Sequence, residues 1–117
     1  VQEAAVTALA MAEECEGRVR EYCRERREIL YAGLQGIRGI RACWPQAGMF
    51  MLLDIRATGL SGEEFVHKLY RAEGVSLLDG VPFGAAAQGF VRACFATDEA
   101  VLVEATRRIR RFCEDLE

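Results

Sequence analysis

The stretch GVSLLDGVPFGAAAQGFVRACFA, residues 74–96, places two apolar runs on either side of a glycine-rich turn. If Phe90–Ala96 is a strand, its side chains alternate between two faces, so Arg92 shares a face with Phe90 and Cys94. Neither face is then cleanly polar, and a strand that is apolar on both sides is usually covered on both sides. The stretch therefore predicts a covered strand that carries one arginine.

Arg92 needs an anion in such a strand, because an unpaired buried charge costs several kcal/mol and a guanidinium keeps its proton. A carboxylate or a phosphate fits, since the planar guanidinium can donate two parallel hydrogen bonds to either group. The residues leave two interpretations of Arg92 open. Arg92 binds a ligand, or it pairs with an acidic residue of the same chain or reaches solvent past a strand edge.

Length, composition and net charge limit the class of protein to which this chain can belong. The chain has 117 residues, of which 51% are hydrophobic and 28% charged, with a net charge of −3. This length predicts a single domain, residues 1–117, with its own core. The negative charge disfavours nucleic acid and anionic membranes as partners, and no apolar run approaches the roughly 18 residues of a membrane span. We expect neither a nucleic-acid partner nor a membrane partner.

The cysteines indicate a reducing compartment. Their number is odd, they form no CxxC pair, and they sit within apolar patterns, so we expect reduced thiols packed as small hydrophobes in a cytoplasmic protein. The single histidine, His67, has no cysteine or second histidine at ligand spacing, so no metal site is predicted. The five cysteines are Cys15, Cys23, Cys43, Cys94 and Cys113.

Apolar periodicity and breaker residues predict the first half of the fold. We expect a helix over residues 1–15 that Gly17 breaks or bends, and a second helix that runs to about Gln35. The short run Ile40–Trp44 precedes a proline and predicts an edge strand. Gly48–Ile55 is an uninterrupted apolar run and predicts a central strand.

The second half begins with a capping box. Ser61 and Glu64 predict the start of a helix that ends at Gly74, with Phe65, Val66, Leu69 and Tyr70 toward the core. After the strands of residues 74–96, Thr97 or Asp98 caps a last helix. Its predicted apolar stripe is Val101, Ala105, Ile109, Phe112 and Leu116.

The predicted order is helix, helix, strand, strand, helix, strand, strand, helix. It indicates an α+β fold, an α/β sandwich in which helices cover a small sheet of three to four strands. Two arginine-rich segments are interleaved with acidic residues, which predicts solvated ion-pair faces rather than binding surfaces. Their arginines are Arg24, Arg26, Arg27, Arg107, Arg108, Arg110 and Arg111.

Catalytic machinery is largely absent from the sequence. There is no glycine-rich phosphate loop with its lysine, no Gly-x-Ser-x-Gly elbow and no predicted cysteine–histidine pair. Lys68, the only lysine, is predicted beside His67 on the solvent-exposed face of its helix. A Schiff-base lysine is not expected there. No catalytic or metal residue is predicted, which leaves Arg92 and the loop 79–84 as the candidate binding features.

Several motifs occur in a fixed order along the chain. They are YCRERREIL at 22–30, PQAGMF at 45–50, EGV at 73–75, and Phe83-Gly84 followed by Val91-Arg92. Together they resemble the C-terminal small domain of class I/II, fold-type I, pyridoxal-phosphate-dependent aminotransferases of the aspartate aminotransferase superfamily. The pattern departs from the family at Asp79, where proline is usual before Gly80, so the conformation of that loop is not predicted.

The resemblance implies a role for the chain. It implies that residues 1–16 form an interdomain helix, that Arg92 binds the α-carboxylate of the substrate, and that Met49 and Phe50 border the substrate pocket. The cofactor, pyridoxal phosphate, is bound by the large domain in that family, so the chain alone is expected to be inactive.

The resemblance also describes the expected parent protein. It would be a cytoplasmic homodimer of amino-acid metabolism that transfers an amino group between an amino acid and a 2-oxo acid. The opening at Val1, within a helical pattern, is expected for a piece of a longer enzyme. A second hypothesis stays open, namely a free-standing α+β module that binds a small carboxylate ligand or a protein partner. The sequence does not indicate which amino acid is used.

Overall fold

The computed structural model describes residues 1–116. These residues form four helices and four strands, which follow one another in the predicted order. Three short 3-10 turns lie at Arg56–Thr58, Val81–Phe83 and Ala85–Ala87. The helices and strands are α1 (Gln2–Ala10), α2 (Ala12–Leu34), β1 (Arg41–Cys43), β2 (Phe50–Asp54), α3 (Gly62–Glu73), β3 (Leu78–Asp79), β4 (Phe90–Cys94) and α4 (Glu99–Glu114).

The four strands form one antiparallel sheet in the order β1-β2-β4-β3. The predicted α+β class is therefore confirmed, with β1 at an edge and β2 in the interior as expected. Arg92 lies opposite Leu52 of β2 on one side and opposite Leu78 of β3 on the other. Cys43 of β1 lies opposite Leu52 and completes this row across the sheet.

The hydrophobic core lies on one face of the sheet. Met51 and Leu53 of β2 and Val91 and Ala93 of β4 are buried there against α2, α3 and α4. The opposite face, which we call the open face, carries Phe50, Leu52, Leu78, Phe90, Arg92 and Cys94. The expectation that the arginine strand is covered on both faces is therefore wrong, because the helical residues of the core all lie on the same side of the sheet.

The first two helices differ from the expectation at their boundary. The interruption lies at Met11 (φ −107°, ψ 22°), and α2 continues through Gly17. A single glycine costs a helix only about 1 kcal/mol relative to alanine, which a helix of 23 residues packed along its C-terminal half tolerates. The predicted break at Gly17 is wrong for that reason.

The capping box of α3 is present in full. The Ser61 hydroxyl accepts from the Glu64 amide (3.2 Å), and the Glu64 carboxylate accepts from the Ser61 amide (2.9 Å). Gly74 ends the helix at φ +67°, as predicted. Phe65 is buried, but Tyr70 is 61% exposed, since it lies about 100° farther round the helix than the buried Leu69.

At the start of α4, the buried stripe lies one residue later in the sequence than predicted. Val101 is exposed and Leu102 is buried. Thr106 is also buried, and it lies against Gly33 of α2, where an added Cβ would come within 2.9 Å of three Thr106 atoms. The absence of a side chain at Gly33 therefore sets how closely α2 and α4 approach.

The arginines of α4 stabilise the ends of other helices. Arg110 donates to the carbonyl oxygens of Gly33 (3.2 Å) and Gln35 (3.0 Å) at the C-terminus of α2. Arg108 donates to the carbonyl oxygen of Glu73 (2.9 Å) at the end of α3, and Arg111 pairs with the Glu73 carboxylate. The last carbonyl groups of a helix lack partners within that helix, so these contacts satisfy them.

The remaining arginine of this group, Arg107, makes only the predicted exposed ion pair, with Glu104. The predicted ion-pair face also holds in part for Arg108, which pairs with Glu104 (2.7 Å). Arg111 likewise makes an exposed ion pair, but with Glu73 of α3. The prediction is wrong for Arg110, which bonds to carbonyl oxygens, because it counted charges along one helix. The nearby helix ends belong to segments distant in sequence.

The arginines of α2 show the same behaviour. Arg26 donates to the carbonyl oxygen of Thr97 (3.2 Å). Arg27 lies over the Trp44 ring (4.3 Å) and donates to the carbonyl oxygen of Pro45 (3.1 Å). Arg24 makes an exposed pair of the expected kind, with Glu21 at 3.6 Å, and Arg26 also pairs with Glu25 at 3.1 Å.

All five cysteines are free. Cys113 is buried, and loss of hydration raises the pKa of its thiol to about 11. The prediction that the thiols pack as small hydrophobes is wrong for Cys15 and Cys94, which are exposed. Across residues 1–116, no helix is both long and apolar enough to cross a membrane, and no three metal-ligating side chains cluster.

Candidate functional site

Arg92 lies near the centre of the open face. Its strand, β4, has a neighbour on each side, so the side chain does not reach solvent past a strand edge. Within residues 1–116 no carboxylate lies within 4.0 Å of its guanidinium, which excludes an ion pair with the described acidic residues. Arg92 is half-buried among apolar neighbours.

Two phenyl rings hold the guanidinium of Arg92. The Cζ atom lies 4.1 Å from the ring centre of Phe50 and 3.9 Å from that of Phe83. Phe50 belongs to β2 and Phe83 follows β3, so the rings approach from the two sides of β4. Contacts of this kind between a cation and an aromatic face are favourable by about 0.5–2 kcal/mol each.

The loop after β3 positions Phe83. The Gly80 amide donates to the Phe90 carbonyl oxygen (2.9 Å), and the Phe83 amide donates to the Gly80 carbonyl oxygen (2.8 Å). Gly80 has no room for a side chain, because a Cβ would lie 2.5 Å from the Ala87 carbonyl oxygen. Asp79 accepts from the Val81 amide (3.3 Å) and so holds the turn that carries Phe83.

The predicted site residues divide into two places. Phe50 lies beside Arg92, whereas Met49 lines a groove of about 760 Å³ against α2, together with Val19 and Cys23. Phe83 was absent from the predicted set. The sequence signalled it only through the Phe83-Gly84 motif, to which no role was assigned.

A second group of charges lies at one end of the open face. Asp54 is 8% exposed and accepts hydrogen bonds from Arg56 (2.7 and 2.9 Å) and Arg41 (2.9 Å). The bond from Arg56 and that from Arg41 hold the pKa of Asp54 well below its usual range, against the opposing effect of burial. Arg56 also lies over the Phe90 ring, at 5.3 Å. With Arg92, this region has more positive than negative side chains and favours an anion.

Comparison with known proteins identifies the group to which this geometry belongs. No family model matches the chain. The chain is 42% identical over 110 residues to the arginine–pyruvate transaminase AruH of Pseudomonas aeruginosa, which covers 93% of the chain and 28% of that protein. The relatives of this chain that the comparison finds are aminotransferases.

Solved structures agree with the aminotransferase resemblance. A Pyrococcus protein called protein-A1 superposes with a TM-score of 0.89 at 28% identity, over 97% of this chain and 30% of that one. The aspartate aminotransferase of Thermus thermophilus with maleate superposes with a TM-score of 0.79 at 30% identity, over 92% of this chain and 27% of that one. The resemblance stated from the motifs is confirmed, and the chain spans less than a third of the length of each of these proteins.

Pyridoxal phosphate, which aminotransferases use, does not fit the residues of this chain. Lys68 is the only lysine in the sequence, and it is exposed on α3. That helix packs on the core side of the sheet, away from the open face that carries Arg92. No step through the cofactor is therefore assigned to these residues.

Proposed function

We propose that the chain, residues 1–117, is the C-terminal small domain of a pyridoxal-phosphate-dependent aminotransferase, with residues 1–16 as the interdomain helix. The full-length protein that contains it, called the parent here, would transfer an amino group between an amino acid and a 2-oxo acid. Arg92 would bind the substrate α-carboxylate. The observation that carries the proposal is an arginine held by two rings on the open face, without an ion pair among the described residues.

The geometry of Arg92 suits a carboxylate. Rings over its flat surface leave the N–H groups at the edge of the guanidinium available, and a carboxylate accepts two of them in one plane. The similarity to a transaminase of arginine and pyruvate, and to an aspartate aminotransferase solved with maleate, supports a carboxylate ligand. In this proposal the small domain brings Arg92 onto the substrate when it closes.

The cofactor belongs to the parent in this proposal. Residues outside this sequence would bind pyridoxal phosphate, and Met49 and Phe50 would border the substrate pocket. The proposal includes a cytoplasmic homodimer, for which the family resemblance and the five free thiols are the support. The chain alone would be inactive.

A second candidate function is a free-standing α+β module that binds a small carboxylate. One observation favours it, because Arg92 and both of its rings are supplied by this chain alone. The two functions differ in what the chain does by itself. A free-standing module would bind a carboxylate such as maleate by itself. A small domain would bind the carboxylate only as part of the parent.

The test of the proposal is the substitution of Arg92 in the parent. Charge-assisted hydrogen bonds contribute about 1.5–3 kcal/mol each, so Arg92→Ala should lower kcat/KM for an amino acid by roughly two to four decades. Arg92→Lys should also be poor, since an ammonium group cannot make the paired contact. L-arginine and agmatine, the amine that lacks its carboxylate, form the first substrate pair to measure.

The control separates binding from stability. Arg107→Ala removes an exposed arginine of α4 and should leave the kinetics unchanged. Arg92 strands no acidic partner within residues 1–116 when it is removed, so Arg92→Ala should lower the melting temperature only modestly, through the loss of its two ring contacts. A preference for the amino acid over the amine that survives in Arg92→Ala would refute the proposed role.

A further inference from the structure

We propose that Phe83 is a positioning residue for Arg92, and that Phe83 and Phe50 together make the site select planar carboxylates over tetrahedral anions. The inference rests on the proposed function, in which Arg92 binds the substrate carboxylate. It adds a role for Phe83, to which the motifs assigned none, and a rule for the shape of the anion.

The ring distances and the strands from which the rings come place Phe50 and Phe83 on opposite sides of the guanidinium. Their centres are 4.1 and 3.9 Å from the same carbon atom, Cζ of Arg92. Two phenyl rings at that distance cannot share one surface of so small a group without overlapping. Their origins agree with this, since Phe50 comes from β2 and Phe83 from the segment after β3, on either side of β4.

Covering both surfaces restricts what Arg92 can bind. Its N–H groups lie in the plane of the guanidinium, so only an anion that enters in that plane receives two hydrogen bonds. A carboxylate has both oxygens in one plane and fits. A phosphonate has three oxygens in a tetrahedral arrangement, so at least one of them must point toward a ring and lose its water without gaining a donor.

Phe83 is held by its own loop rather than by the core. Its amide is bonded to Gly80 (2.8 Å), and the Gly84 amide is bonded to Val81 (3.0 Å). Its side chain is 53% exposed. Substitutions at Phe83 can therefore change the surroundings of Arg92 while the core stays packed, which makes the role open to test.

The experiment uses the parent with Phe83→Leu, Phe83→Tyr and the loop control Val81→Ala. Val81 belongs to the same turn and is 49% exposed, but its side chain has no aromatic ring to stack on Arg92. Leucine keeps apolar volume without an aromatic surface, whereas tyrosine keeps the ring. The probes are the amino acid used in the Arg92 experiment and a matched pair of inhibitors, 3-phenylpropionate and 2-phenylethylphosphonate.

The expected result has two parts. Phe83→Leu should raise KM for the amino acid about three- to tenfold with kcat nearly unchanged, because it weakens binding that is equal in the ground and transition states. It should also reduce the preference for the carboxylate inhibitor over the phosphonate inhibitor by a similar factor, since one surface of the guanidinium becomes open. Phe83→Tyr and Val81→Ala should match the original enzyme in both measurements.

Contrary results distinguish the two proposals. If Phe83→Leu leaves the inhibitor preference intact, or weakens the amino acid and its amine equally, the role of Phe83 is refuted. The proposed function survives that result provided that Arg92→Ala abolishes the preference for the carboxylated substrate. If Arg92→Ala keeps that preference, both proposals fail.

Discussion

Arg92 shows how an arginine can occupy an apolar surface without an acidic partner. Its sequence neighbours correctly placed it in a strand of mixed apolar character, but burial was expected on both faces. The structure leaves its face open and supplies aromatic rings in place of an ion pair. Phe83 could not be inferred as a partner, because the contact depends on the path of a loop nine residues before Arg92.

Asp54 gives a prediction on pH. Its pKa in the folded chain is lowered from the ordinary value of 3.8, chiefly by the hydrogen bond from Arg56. A lowered folded pKa stabilises the fold fully above the unfolded value, and the contribution is lost as pH falls below about 4. Asp54→Asn should therefore cost about 1–2 kcal/mol at pH 7, since it removes the negative charge and one of the two acceptor oxygens, while Arg41 and Arg56 remain largely exposed.

The measurement is urea unfolding of both chains at pH 7 and at pH 3. The stability difference between the original chain and Asp54→Asn should shrink at the lower pH. Asp115→Asn, at the exposed C-terminal cap of α4, serves as the charge-matched control and should show little difference at either pH. An equal penalty for Asp54→Asn at both values would contradict the account.

Two glycines of α2 give a prediction with opposite signs. Gly17→Ala should stabilise the chain by about 0.5–1 kcal/mol, because alanine is the better helix former and the new Cβ meets nothing within 4 Å. Gly33→Ala should destabilise it by about 1–3 kcal/mol, because the new Cβ would overlap Thr106 of α4. The two variants form a matched pair within one helix, and their free energies of unfolding can be measured in the same urea series.

The size of the Gly33 effect depends on the close approach of α2 and α4. Stabilisation by both alanines would mean that these helices do not approach as closely as the structure describes. Destabilisation by both would mean that Gly17 has a contact or a conformation that the structure does not show.

Elements with local signals were predicted well from the sequence. The start and end of α3 follow from a capping box and a glycine, both of which act within one turn of the chain. The interior strand β2 follows from an uninterrupted apolar run. Local chemistry decides these features, so the sequence suffices for them.

Elements whose fate depends on distant partners were predicted less well. Gly17 was expected to break a helix, but the packing of the rest of α2 outweighs its weak preference. Arg108 and Arg110 were expected only in solvated ion pairs, but they also bond to carbonyl groups 35 and 77 residues away. The open face of the sheet could not be predicted either, since an apolar strand does not reveal how many of its faces a helix will cover.

At the scale of the whole molecule, residues 1–116 offer no fitting site for pyridoxal phosphate, which gives a further prediction. The chain mixed with pyridoxal phosphate should develop no stoichiometric visible absorption band and no transaminase activity, because Lys68 is an exposed surface amine. Lys68→Ala should give the same spectrum as the original chain. A stoichiometric band that disappears in Lys68→Ala would show that the chain holds its own cofactor site.

The arginines that α4 places on the ends of α2 and α3 have a consequence for synthesis on the ribosome. Arg108 and Arg110 are made 35 and 77 residues after the carbonyl groups of Glu73 and Gly33 that they bind. Until α4 has left the ribosome, water must satisfy those helix ends, and α2 lacks the surface that buries its C-terminal half. We expect nascent chains to gain protease resistance in one late step, when α4 emerges, rather than helix by helix. Resistance of α2 and α3 in ribosome-bound chains that stop before Glu99 would show that they fold earlier, without these arginines.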